Sequence, residues 1–352
     1  MKRLQLLDYG RFAAAFSILL YHYTFNGFRN GKISSVGPFD YITYVTHFGK
    51  IGVEFFFIIS GYVIYYSAQN KTSGEFVFSR VKRLYPAFWF AVLFTSLFAF
   101  LWGKGTAMEV SVPQIFANLT MLPEFLGYKN VDGAYWTLVY ELKFYLLIFL
   151  ILFFGIKKYL NQIIILWTAY LTVSYFLRLN LPYSDIKFSF FTAGLLFAYS
   201  RKVLTPLIIV SLIQCYLLNT IWLIKDTAMP IRPLLSIITI TGFYFFFFYL
   251  NTKKGSSLSL YKASLLGGLS YIIYLIHGHF GYLFLSKFAT ENNKTVIYFT
   301  VVFLVIAASY LIHFFIEKKL SDFWTTLFKN YVEHPVSFLE KKLAMVKNRI
   351  IK

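Results

Sequence analysis

Charge is scarce in this 352-residue chain. Only 14% of its residues are charged, against 58% hydrophobic. That balance excludes a soluble domain of this size. The apolar stretches that recur along nearly the whole length make it a polytopic membrane protein, with the lipid bilayer as its surroundings. No polar segment is long enough to bury a core of its own, so 1–320 reads as one membrane domain and 321–352 as a basic tail. Cysteine is almost absent. Cys215, the one cysteine, lies in a hydrophobic stretch, which excludes an intramolecular disulfide and leaves the redox compartment open. Acidic residues are few, 15 against 34 Lys and Arg. A net charge of +19 would suggest nucleic acid in a soluble protein. Here much of it lies in short loops and the tail, so it reads as membrane orientation, with no nucleic-acid partner. There is no internal repeat and no low-complexity linker. The start Met1-Lys2-Arg3 before an apolar run resembles a signal peptide. Asp8 and Arg11 interrupt that run and no small-residue cleavage site is clear, so a retained first helix is expected.

What is present is a series of about ten candidate spans. They run over 6–25, 49–67, 84–103, 138–155, 161–177, 186–200, 203–224, 232–250, 265–286 and 295–317. The segment 186–200 is short for a crossing; it tilts or is buried by its neighbours. Lys and Arg in the loops divide almost evenly between the two sides. The C-terminal stretch from Lys318 to Lys352, with Lys319, Lys329, Lys341 and Lys342 among its basic residues, therefore decides orientation. The fold expected is an all-α bundle of about ten transmembrane helices with both termini cytoplasmic. The tail either lies on the anionic inner leaflet or is solvated. The longest loop, 104–136, contains Pro113, Pro123, Gly127 and Gly133 and would lie outside.

Ionisable groups at membrane depth are expensive and are seldom left without a partner or a task. Arg11 and His22 share the first span, eleven residues apart. That is close to three helical turns, so both project from one face, about 16 Å apart along the axis. With the N-terminus inside, His22, Glu54, Glu141 and His277 fall in the outer half. Arg11, Arg80, Lys82 and Arg83 fall in the inner half. A histidine with a carboxylate suits general-base work, and an Arg cluster suits phosphates, which it grips bidentately. Plainer readings stand beside these. Arg80, Lys82 and Arg83 would serve as positive-inside anchors, Glu54 as a helix N-terminal charge, and His277 as a hydrogen-bonded packing residue. Lys143 would snorkel, and His279 and His313 carry still less signal. The many aromatics, 42 Phe and 28 Tyr, are read as lipid-facing and packing residues before sugar-stacking ones.

Five motifs, in order, carry a resemblance. The first is Leu7-Asp8 followed by Arg11 and His22. The second is Gly52-Val53-Glu54-Phe55-Phe56 with Ser60-Gly61. The third is Arg80-Val81-Lys82-Arg83 before Tyr85-Pro86, and the fourth is Trp136-Thr137-Leu138 with Glu141 and Phe144-Tyr145. The fifth is Leu269-Ser270-Tyr271 with Tyr274-Leu275 and His277. Together they resemble the acyltransferase 3 family of integral membrane acyltransferases, of the type without a fused extracytoplasmic hydrolase-like domain. Glu54 stands where that family usually has Asp, and Thr137 where it usually has Ser.

The resemblance implies an O-acyltransferase in the bacterial cytoplasmic (inner) membrane. It would move an acyl group, commonly acetyl from acetyl-CoA, to a hydroxyl of an extracytoplasmic or lipid-linked glycan. In that scheme Arg11, Arg80 and Arg83 hold the donor phosphates. His22 is general base or transient acyl acceptor, and Glu141 orients or charge-balances it. Asp8, Glu54, Trp136, Tyr145 and His277 support the site or line the acceptor side, and no metal is expected. Two other classes use similar residues. A transporter or flippase needs intramembrane charges but no acyl donor. A glycan polymerase or ligase needs no thioester.

Overall fold

The computed structural model describes residues 4–225 and 233–350. Met1-Lys2-Arg3, the head of the expected retained helix, and the last two residues of the tail lie outside them. Helices follow one another and no strand occurs among the described residues. The helices used below are α1 (Gln5–Tyr21), α2 (Gly52–Asn70), α3 (Ser73–Trp102), α4 (Trp136–Phe153), α5 (Leu160–Phe176) and α6 (Phe188–Ser200). They continue with α7 (Pro206–Lys225), α8 (Pro233–Asn251), α9 (Ala263–Ile276), α10 (Gly278–Phe288), α11 (Lys294–Ile312), α12 (Ser321–Phe328) and α13 (His334–Ile350).

All ten expected segments carry helix among the described residues, and by length and composition fewer than ten qualify as spans. Among the described residues six helices are long and apolar enough to span a bilayer: Tyr41–Asn70, Ser73–Trp102, Gly133–Phe153, Pro206–Lys225, Pro233–Asn251 and Lys294–Lys319. A seventh is added if α9 and α10, bent by 63° at their junction, count as one. The other three segments fall short for physical reasons. α1 mixes Asp8 and Arg11 into its apolar residues, and its continuation brings in His22, Thr24 and Asn26. α5 has 17 residues and α6 only 13, against the roughly 20 a crossing needs.

α6 resolves the choice left open for 186–200, because its neighbours bury it. Every residue from Phe188 to Ala198 is buried, so the helix is apolar all round rather than on one face. Two glycines allow this. A Cβ on Gly61 would lie 2.0 Å from the Phe191 carbonyl oxygen, and one on Gly194 would lie 2.0 Å from that of Ile58. α2 and α6 therefore touch backbone to backbone, the small-residue contact that packs helices without a hydrophobic drive from lipid.

α1 does not stop at Tyr21. A π turn over His22–Asn26 carries it on, with the Gly27 N–H bonded to the His22 carbonyl. Such turns insert one residue and re-aim the side chains around it. Further along, the chain after α3 folds into a compact loop. A Ser111–Gln114 capping box and Pro113 start a short helix, Val112–Asn118. The Asn118 amide then donates to the Lys129 carbonyl (3.0 Å) and accepts from the Val131 N–H (2.9 Å). This clasp delivers Asp132 into the bundle, where it is 1% exposed.

The segment after residue 320 is helical and lies along the first half of α3. Trp324 and Phe328 pack with Ile316 against Trp89, and Trp324 Nε1 donates to the Ile316 carbonyl (2.8 Å). Ser73 Oγ donates to Glu340 (2.6 Å), and Lys82 Nζ donates to Ser321 (3.2 Å) and Thr325.

Candidate active site

Three arginines converge on one chamber of about 380 Å³ between α1, α2, α3, α4 and α9. Arg80 and Arg83 are three residues apart on α3, so one helical face presents both. Their guanidinium groups lie over aromatic rings. Arg80 is 5.8 Å from the Tyr145 ring centre and Arg83 is 5.3 Å from that of Tyr271. Arg11 enters from α1 and is paired with Asp8 one turn earlier (3.9 Å). Asp8 itself lies against α9, where a Cβ on Gly267 would come within 2.2 Å of its carboxylate. The Arg83 side chain stays 35% exposed and bonds to Glu317 (3.3 Å). Glu317 also accepts from His313 Nδ1 (2.6 Å). Lys82 belongs elsewhere: its amine goes to Ser321 and Thr325 and it does not line the chamber.

Glu141 belongs to this chamber too. Ser60 Oγ (3.2 Å) and Tyr145 Oη both donate to its carboxylate. The role expected of Glu141 from the sequence is to orient or charge-balance His22. Among the described residues no hydrogen bond or ion pair joins the two. The reason is a layer of side chains one turn along α4. Thr137 Oγ1 meets Tyr274 Oη (2.7 Å), Tyr274 donates to the Ala134 carbonyl (2.9 Å), and Phe56 packs edge-on against Tyr274. Thr137, Tyr274 and Phe56 close the chamber, and Glu141 lies on the arginine side of them.

On the other side of Tyr274, 5.7 Å away between ring centres, is His277. His277 and His22 meet edge to face at 4.8 Å. The π turn supplies His22, and the α9–α10 break supplies His277. His277 Nδ1 faces the Tyr274 (2.8 Å) and Ile273 (3.1 Å) carbonyls. Carbonyls only accept, so Nδ1 carries the proton and Nε2, which has no partner among the described residues, keeps a lone pair. His22 Nδ1 is bonded to Tyr282 Oη, with Asn26 Nδ2 donating to the same hydroxyl (2.9 Å). Asn26 Nδ2 also lies 3.3 Å from Nδ1, so Tyr282 and Asn26 together set the His22 tautomer. When the Tyr282 hydroxyl accepts from Nδ1, His22 Nε2 is a base; when it donates, Nε2 is an N–H.

Around the pair stand Asp132, His279 and Lys32. Lys32 Nζ donates to His279 Nε2 (2.9 Å). Burial pushes the Lys32 amine below its ordinary pKa, and the Asp132 charge opposes the shift. Among the described residues no three His, Cys, Asp or Glu side chains gather closely enough to hold a metal ion.

The sequence-expected residues thus separate into three places. Arg11, Arg80, Arg83, Glu141 and Tyr145 surround the chamber, with Asp8 behind Arg11. His22 and His277 form the pair beyond Tyr274. Glu54 and Trp136 line neither. Trp222 Nε1 donates to Glu54 (3.1 Å), and Trp136 packs edge-on against Tyr140. Asp132, Lys32, Tyr282 and Glu317 were not singled out from the sequence. The first two lie in loops, where a search confined to ionisable groups inside spans does not reach. Asp132 had one signal, its place four residues before Trp136 in a long loop that a scaffold would have to position.

The chamber makes a test at two neighbouring positions. If it holds a polyanion, Arg83→Ala is expected to weaken acyl-CoA binding about tenfold or more, the scale of a lost charge-assisted contact. Lys82→Ala is expected to leave it within about twofold, as for a cation outside the site. Titration of purified protein with a labelled acyl-CoA analogue checks both. Equal losses would mean that bulk positive charge, not the chamber, holds the analogue.

No curated protein and no solved structure matches the chain. The family description that does match is an acyltransferase domain, over residues 4–314. That match covers α1 to α11 and includes the arginine chamber, the Tyr274 layer and both histidines, and the chain belongs to the acyltransferase 3 family of membrane acyltransferases.

Proposed function

We propose that the protein moves an acyl group, acetyl in the simplest case, from cytoplasmic acetyl-CoA to a hydroxyl of an extracytoplasmic or lipid-linked glycan in the bacterial inner membrane. The observation that carries this reading is the order of groups through the bundle. Three guanidiniums line a chamber, Tyr274 closes it, and a histidine pair with a free ring nitrogen lies directly behind.

With the N-terminus cytoplasmic, the arginine end faces the donor pool. Phosphates dock on Arg80, Arg83 and Arg11, and the thin pantetheine arm runs past Glu141 and Tyr145 toward Tyr274. The about 16 Å that separate Arg11 from His22 along a regular helix suit such an arm. At the far end His22 Nε2 takes the acceptor's hydroxyl proton, Tyr282 accepting from Nδ1. The acceptor oxygen forms its bond to the acyl carbon, the carbon–sulfur bond breaks, and the proton leaves with the thiolate as free coenzyme A.

Proteoliposomes given labelled acetyl-CoA on the arginine side and surface glycan on the other test this directly. Release of coenzyme A together with label in the glycan is expected. Substrate accumulation without coenzyme A release would replace the reading with a transporter. Chain growth without a thioester would replace it with a polymerase or ligase.

A further inference from the structure

Asp132 is a buried carboxylate that the acyl-transfer scheme above does not use. It comes from the clasped loop before α4 and is driven into the junction of α9 and α10. Its Oδ2 accepts the His279 N–H (2.7 Å) and its Oδ1 accepts the Ala134 N–H (2.9 Å). A Cβ on Gly278 would lie 2.3 Å from Oδ1, so only a residue without a side chain fits between the carboxylate and the helix axis. The His279 N–H would otherwise continue the helical ladder. A side chain inserted into that ladder is a recognised cause of a sharp bend, here 63°. The bend falls at His277, whose ring is thereby turned toward His22.

The charge of Asp132 reaches further than its hydrogen bonds. It acts on His277, His279 and Lys32. Glu141 is on the arginine side of the Tyr274 layer, and Glu54 is bonded to Trp222. Asp132 is therefore the carboxylate placed against the histidines.

We propose that Asp132 is a positioning residue of acyl transfer, which holds His277 at the helix break and balances the positive charge that the His22–His277 pair gains when it takes the acceptor's proton. The inference rests on the acyl-transfer reading. In the step concerned, the acceptor's O–H bond breaks and its proton goes to an imidazole nitrogen. The oxygen lone pair forms the ester bond, and the sulfur leaves with the carbon–sulfur electron pair and recovers the proton as coenzyme A. An imidazolium exists between the two proton movements, and a fixed anion beside the pair lowers its energy.

A plain helix cap is the alternative, and charge separates the two. Asp132→Asn keeps one acceptor oxygen and removes the charge. Asp132→Glu keeps the charge and shifts the oxygens. Each variant is assayed in proteoliposomes with labelled acetyl-CoA, with kcat taken per donor-binding site so that lost folded protein cancels. The expected result is a kcat about 10- to 100-fold lower for the Asn variant, the size of one charge-assisted interaction. Its KM for acetyl-CoA stays within about twofold, and the Glu variant recovers part of the loss. An Asn variant as fast as the Glu variant, or within twofold of the wild type, would reduce Asp132 to a cap and overturn the inference alone. A wild type that releases no coenzyme A would overturn the acyl-transfer reading and this inference with it.

Discussion

Replacing His22 by alanine is expected to lower acyl transfer by about 10²- to 10⁴-fold, the range that a positioned general base contributes. The affinity for acetyl-CoA should stay within about twofold, because His22 lies beyond Tyr274 and touches none of the arginines. The effect should fall on kcat and on kcat/KM alike, the pattern of an interaction made in the transition state rather than on binding. Tyr282→Phe removes the hydroxyl that, with Asn26, sets the His22 tautomer and should give a smaller loss in the same parameter. The measurement is steady-state release of coenzyme A in the presence of acceptor, alongside donor binding on the same preparation. Full transfer by the alanine variant would remove His22 from the chemistry. A collapse of donor binding would mean that the two ends of α1 are not separate sites.

The second large effect concerns assembly. Gly61→Ala puts a methyl group 2.0 Å from a backbone oxygen of α6, where no side-chain rotation relieves the clash. The helices must separate, so the loss of stability is expected at or above the upper end of the about 1–3 kcal/mol typical of overpacking. Gly194→Ala meets the reciprocal contact with the Ile58 carbonyl and should behave alike. Gly242, in α8, is the control. A Cβ there meets nothing within 4 Å, and alanine should be neutral or stabilise by up to about 1 kcal/mol through helix propensity. Thermal unfolding in detergent with folded yield reads out all three. If Gly61→Ala melted with the wild type, α2 and α6 would not be in backbone contact.

Hydrophobic runs made the helices legible, since each expected apolar segment is helical. They do not by themselves fix the number of crossings, because length and hydropathy report what a segment tolerates and not what surrounds it. α6 is as apolar as a lipid-facing helix, yet its residues face protein on every side. Arg11, Arg80 and Arg83 were legible as a group because their charge is conspicuous in so apolar a chain. The place of Glu141 relative to His22 was not legible for a different reason. Depth along a helix places residues on one axis only, and Glu141 and His22 differ in which side of Tyr274 they face. Beyond its nearness to Trp136, Asp132 left no signal, because its position depends on a loop folding back through Asn118, a contact without periodicity. The π turn at His22 also leaves no mark in a pattern read at 3.6 residues per turn.

Glu317 gives the arginine end a further property. Its carboxylate pairs with Arg83, and His313 supports it from behind. If the chamber binds acyl-CoA as proposed, an incoming phosphate would exchange one anion for another instead of capturing a bare cation. Exchange keeps entry and exit nearly balanced in free energy. Donor and spent coenzyme A carry the same phosphates, so a site that held the first too firmly would be stopped by the second. On that reading the internal carboxylate would act as a built-in eluent, and Glu317→Gln should tighten both ligands and slow turnover through product retention.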